Sequence, residues 1–229
     1  MTYIYRFWHH LREPSSLTNI VEMEEQKHRI IGYKKALFSL LCFTLLLFIT
    51  REVWGMYTSN LTELLAQGNV DRYVFARYMS LLGIVGWSLI YFFFHYYAIA
   101  YILSLLTDIP FKWIQKVQLY VILILLLEKT IEFFVFAIAK YTTVFSPFSS
   151  AAIFAQFTSE TWLLYLINQL TLGTCLVIFI QFKFLKQWTE SRPMSLLIKL
   201  IAIPVICALI VGYLSVSPIF DWVVRGLNE

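Results

Sequence analysis

The chain has 229 residues, of which 59% are hydrophobic and only 14% charged, with a formal net charge of +4. Soluble domains sit near half apolar and a quarter charged. Here the apolar residues gather in blocks of about twenty, the length that carries a helix across ~30 Å of hydrocarbon. That balance excludes a disordered chain, a coiled coil and a disulfide-rich secreted scaffold. The basic residues flank the blocks and form no single patch of the kind nucleic acid needs. The expected fold is all-α, a polytopic helical membrane protein with five transmembrane helices and short interfacial helices.

In chain order, residues 1–35 read as a cytoplasmic amphipathic segment. Residues 1–12 (MTYIYRFWHHLR) mix aromatic and basic side chains, suited to a headgroup layer. Pro14-Ser15-Ser16 opens a second helical segment, with apolar stripes at Leu17, Ile20, Val21, Ile30 and Ile31. No small-residue cleavage pattern follows the first hydrophobic run, so a retained span is expected there. The five-helix domain covers residues 36–216, with spans at about 36–57, 78–106, 117–139, 162–182 and 196–216. The second is too long to stand perpendicular and must tilt or extend past the hydrocarbon. Pro204 should kink the fifth. Residues 145–157 (FSPFSSAAIFAQF) read as an outer interfacial helix, and 217–229 as an external tail.

Orientation follows from the cations. Arg6, Arg12, Lys27, Arg29, Lys34, Lys35, Lys112, Lys116, Lys183, Lys186, Arg192 and Lys199 fall on one side. Arg51, Arg72, Arg77, Lys140 and Arg225 fall on the other. The excess puts the N-terminus in the cytoplasm, and an odd number of spans puts the C-terminus outside.

The most informative residues are Glu128, Lys129 and Glu132 in the third span (LLLEKTIEFF). Their side chains fall within about a 100° arc of the helix. Charges at that depth face the bundle and find partners. Lys129 and Glu132 pair at i, i+3, which leaves Glu128 seeking a cation or a proton. Arg51 lies at the same height as Glu132, ~23 Å from the cytoplasmic end at the helical rise. Spans one and three are therefore expected to touch, with Arg51 near Glu128 or Glu132. Asn168 and Gln169, roughly 10 Å down from the outer face, would complete a polar layer. Such a layer reads first as a structural ion-pair network, then as a proton or solute pathway, then as a subunit contact.

Other residues carry less. His95, within FFFHYY, is uncertain between a satisfied interior residue and a ligand. No metal site and no cofactor are expected: Cys42, Cys175 and Cys207 fall inside spans at no ligand spacing, and the adjacent His9 and His10 point to different faces. Ala208 and Gly212 make a small-x-x-x-small step, and Gly83, Gly86 and Gly173 permit close helix approach. Glu24, Glu25 and Arg29 match Glu-Glu-x-x-x-Arg, the signature of the CAAX-protease and bacteriocin-immunity family. Here they precede the first span, where a solvated charged helix face is the simpler reading.

Three stretches together carry a family likeness. REPSSLTNIVEMEEQKHRIIGYKKALFSLL is a Pro-led approach to span one, and DIPFKWIQKVQLYVILILL a short step into span three. TWLLYLINQLTLGTCLVIFIQFKFLKQW followed by SRPMSLLIKLIAIP makes span four, a basic loop and span five. In this order the chain resembles the Yip (Ypt-interacting protein) domain family over about residues 14–214. The short N-terminal region looks like the bacterial branch, with its YknW-like partners of MacB-type ABC exporters. The chain departs from the pattern in having only Thr107 after span two and no Pro in span three. The resemblance implies a non-enzymatic multi-pass protein of the bacterial plasma membrane, without a catalytic centre. It would serve as an accessory or assembly subunit, with an ABC permease, another membrane protein or a second copy as partner, in peptide or toxin resistance. The competing expectations are a transporter or channel component using the span-three charges and, more remotely, an intramembrane protease-like or immunity protein.

Overall fold

The computed structural model describes residues 2–4, 7–13, 16–17, 29–56 and 58–217. Two three-residue strands, β1 (Thr2–Ile4) and β2 (Arg29–Ile31), pair in parallel, with Thr2 opposite Arg29 and Ile4 opposite Ile31. Every other described element is helical. Ile30 and Ile31, expected on a helical stripe, are in β2. Most of that segment, with Glu24 and Glu25 of the protease-like motif, lies outside the described residues, as does the tail beyond Ser217.

Helix α1 (Phe7–Arg12) packs against the bundle through Tyr120. Phe7 stacks on Tyr120 at 4.5 Å between ring centroids, and the Tyr120 hydroxyl donates to the Phe7 carbonyl. His10 is buried beside Ser16, with Nδ1 to Oγ at 2.7 Å. Burial, and then the neighbouring His9, push its imidazole below the ordinary histidine value.

Gly32, at φ 102°, turns the chain into α2 (Tyr33–Trp54), and Gly55, at φ 98°, ends it; both angles are costly for any side chain. A short helix α3 (Ser59–Ala66) follows, in a stretch to which the sequence analysis assigns no element. Helix α4 (Val70–Thr107) starts eight residues before the expected span. Within it, Phe94–Ala98 widens to a π-turn, with the Ile99 N–H bonded to the Phe94 carbonyl five residues back. Asp108 and Pro110 then break the chain before α5 (Phe111–Ala139).

Beyond α5 the expected interfacial helix over 145–157 shrinks to one turn, α6 (Ala151–Phe154). The expected fourth span is two helices, α7 (Thr161–Gln169) and α8 (Leu172–Leu185). The break falls at Leu170 and Thr171. Thr171 caps α8 reciprocally with Thr174, and the Leu172 N–H bonds the Phe148 carbonyl of the preceding loop. Helix α9 (Pro193–Val216) runs unbroken through Pro204.

Three of these helices, α2, α4 and α9, are long and apolar enough to cross a membrane, and their outward faces carry large exposed apolar side chains. This is a helical membrane protein. Helix α5 is central: it packs against α2, against the second half of α4 and against α8, while α9 packs against α7 and α8. The close approach of α9 and α7 depends on Gly212, where a Cβ would lie 2.9 Å from the Trp162 carbonyl oxygen. One apolar cluster joins α4, α5, α8 and α9 around Leu103, Ile114, Tyr120, Phe184 and Leu200. A second joins α2, α4 and α5 around Phe48, Phe92, Ile122 and Leu126.

Candidate functional site

The central position of α5 decides what happens to its charges. Twelve of its residues are buried, Glu128 and Glu132 among them. Arg51, near the end of α2, is 1% exposed and points across to α5. Its Nη2 donates to Glu132 Oε2 at 3.3 Å, and its Nε contacts the Met56 sulfur at 3.2 Å. Lys129 Nζ donates to the same carboxylate oxygen at 3.0 Å. Glu132 thus lies between two cations, one buried and one partly exposed. Charge-assisted bonds of this kind offset the desolvation that burial imposes on each ion.

A second cluster, which sequence reasoning missed, backs onto the first. Glu52 is as buried as Arg51 but faces α4. It accepts from Ser80 Oγ at 2.5 Å and lies 3.8 Å from Arg77 Nη1, while Arg77 Nη2 caps the Glu52 carbonyl at 3.3 Å. Adjacent residues on a helix face different directions, so the Arg51-Glu52 pair ties α2 to α5 on one side and to α4 on the other. The signal was present in Ser80 and Arg77, three residues apart on α4. It was passed over because Arg51 and Glu52 end the apolar run and Arg77 precedes the expected start of the next.

Glu128 is one turn below Glu132 and joins neither cluster. It is 9% exposed, and its Oε1 has no hydrogen-bond partner among the described residues. It lines a cavity of about 210 Å³ bounded by the π-turn of α4, by α5, by the α7–α8 break and by α9. His95 and Tyr91 line the same cavity, as do Asn168, Gln169 and Gln181. The first turn of α8 runs directly over the carboxylate: a Cβ on Gly173 would collide with it. That turn is the positive end of a helix dipole, a favourable place for a carboxylate.

Asn168 and Gln169 share the cavity with Glu128 and Lys129, and the hydrogen bonds they make among the described residues run to local groups. Asn168 Oδ1 accepts from the Ser146 N–H at 2.7 Å and from Ser149 Oγ at 2.9 Å, which anchors the loop before α6. The Gln169 carbonyl accepts from Thr174 Oγ1 at 3.0 Å across the break. The interruption of the helix spends these groups on local backbone that a continuous helix would not have left open.

One further expectation changes. Gly83 and Gly86 do not mediate packing among the described residues: both face outward, and a Cβ on either would meet nothing within 4 Å. Gln118, within α5, is fully buried, and neither its amide nitrogen nor its oxygen has a partner among the described residues. Among those residues no group of three or more His, Cys, Asp and Glu side chains is placed to hold a metal.

Comparison with protein families, with curated proteins and with solved structures finds no match. The reading of the site therefore rests on its geometry.

Proposed function

We propose that this chain is a non-enzymatic five-span protein of a bacterial plasma membrane, N-terminus in the cytoplasm and C-terminus outside, that works as an accessory subunit of a larger membrane assembly. A Yip-type partner of an ABC exporter is the specific form of that reading. In it, α5 and the α7–α8 pair are the third and fourth spans. The observation that carries the reading is the outer face of α4. Gly83 and Gly86 open a notch there between exposed Leu82 and Trp87, with Met79 and Ile90 above and below. In membranes, small residues recessed between large ones are where a second helix approaches closely. Among the described residues nothing lies within 4 Å of a Cβ placed at either glycine. Gly83→Leu with Gly86→Leu should detach a neighbouring subunit or second copy, read by cross-linking in native membranes followed by gentle purification. A wild-type protein that runs as a lone monomer in native nanodiscs, indistinguishable from the double variant, would remove the proposal.

A second reading, a transporter or channel component, is supported by a different observation: the Glu128 carboxylate lies in a cavity beside a broken helix. Discontinuous helices at mid-membrane are where transporters place their substrate groups. It calls for flux of a solute in proteoliposomes, lost in Glu128→Gln.

A further inference from the structure

We infer that the cavity at Glu128 is a binding site for a small organic cation, an ammonium carried on a compact apolar body. This deepens the second reading above, but binding and transport are tested separately.

The carboxylate comes first. Glu128 is more than nine-tenths buried, lines the cavity, and leaves Oε1 without a donor among the described residues. A buried acceptor in that state calls for a donor from outside the fold. Lys129 and Arg51 both bond Glu132, although Lys129 also borders the cavity. Neighbours at i, i+1 on a helix do not face each other, so Lys129 is poorly placed to turn to Glu128 while α5 stays helical.

The rest of the wall decides the ligand's chemistry. A bare alkali or alkaline-earth ion wants about six oxygens around it. The cavity offers one carboxylate and the Gln169 and Gln181 amides, short of that number, while the Asn168 oxygen is bonded to the outer loop and the Thr171 and Thr174 hydroxyls cap α8. Pro204 and Cys207 of α9 supply apolar surface. Tyr91 supplies an aromatic ring, packed edge-on to His95 at 4.7 Å between centroids. A carboxylate and an aromatic ring around an apolar pocket are the combination that recognises organic ammonium groups. At about 210 Å³ the cavity has room for a small amine.

Backbone geometry fits the assignment. Gly173 has no side chain where a Cβ would strike the carboxylate, so the α7–α8 break leaves room for Glu128 against the start of α8. The π-turn at Phe94–Ala98, of a kind common at functional sites, carries His95, which borders the cavity from the opposite helix.

The test uses the full chain in lipid nanodiscs, with empty nanodiscs subtracted, and two probes of matched shape: phenethylammonium and neutral 2-phenylethanol. Wild type should bind the ammonium saturably, about tenfold or more tighter than the alcohol, as a charge-assisted hydrogen bond requires. Glu128→Gln keeps the shape and should bring the two probes within about twofold of each other. Cys207→Phe should fill the cavity and abolish binding of both, with unfolding midpoints checking that each variant folds. Equal binding of both probes by wild type, no saturable binding, or a preference that survives Glu128→Gln would each overturn the assignment. Binding without flux of phenethylammonium in proteoliposomes would leave the site standing and remove only the transport reading.

Discussion

Glu132 and Glu128 sit one turn apart on the same helix, both buried, yet only one is satisfied. Glu132 holds two cations on one oxygen, whereas Glu128 faces a cavity with an unpartnered oxygen. Helix position alone does not explain the difference; the neighbouring helices do. On the Glu132 side, α2 brings Arg51 to the same height. On the Glu128 side, α8 brings a glycine and a helix start, with no cation. One carboxylate therefore fixes the packing of the bundle, and the other is left free for a ligand.

Separate replacement of the members should pull the two carboxylates apart. Arg51→Met removes the fully buried cation and should cost about 3 kcal/mol, as when one partner of a buried pair is deleted. The measurement is reversible unfolding in mixed micelles. Arg51→Met combined with Glu132→Leu should cost less than the two single changes added together, and simple additivity would show that the pair is not coupled. Glu132→Gln should destabilise, because it leaves Arg51 buried without its counter-charge. Glu128→Gln should instead change stability by no more than about 1 kcal/mol, because no cation among the described residues bonds it and only the start of α8 offsets its charge. Equal losses from the two glutamine variants would erase the distinction.

A smaller effect probes the α8 side. Gly173→Ala pushes a methyl into the Glu128 carboxylate, which must swing away. The carboxylate is the flexible end of its side chain, so the expected cost is about 1 kcal/mol, of the order of a strained rotamer. Glu128→Ala in the same chain should remove that cost. A penalty that persists would mean that Gly173 is required by the backbone of the break and not by the carboxylate.

Much of the satisfied half was legible in the sequence. Residue rise alone set Arg51 level with Glu132, and i, i+3 spacing paired Lys129 with Glu132; both contacts are present. That Glu128 is left over was legible too, but its surroundings were not, because they depend on where a helix stops. LINQLTLGTCLVIF is apolar enough to read as one span, and only the Thr171-x-x-Thr174 pair and the polar Asn168-Gln169 step hinted at an N-cap in its middle. The π-turn around His95 has no sequence signature at all. The outward turn of Gly83 and Gly86 was hidden for a similar reason: periodicity shows that two residues share a face, but not which neighbour that face meets.

The smallest expected effect is the most discriminating about Glu132's two partners. Lys129 is about a third exposed, while Arg51 is nearly inaccessible. An exposed ion pair contributes little, about 0–1 kcal/mol, and Arg51 remains on Glu132 when Lys129 is gone. Lys129→Met should therefore shift stability by well under 1 kcal/mol, and should leave the preference of the Glu128 cavity for phenethylammonium unchanged. If Lys129→Met instead destabilises as much as Arg51→Met, the exposed lysine and not the buried arginine holds Glu132 in place. If it tightens ammonium binding severalfold, Lys129 acts on the cavity after all, and the separation of the two carboxylates fails on that side.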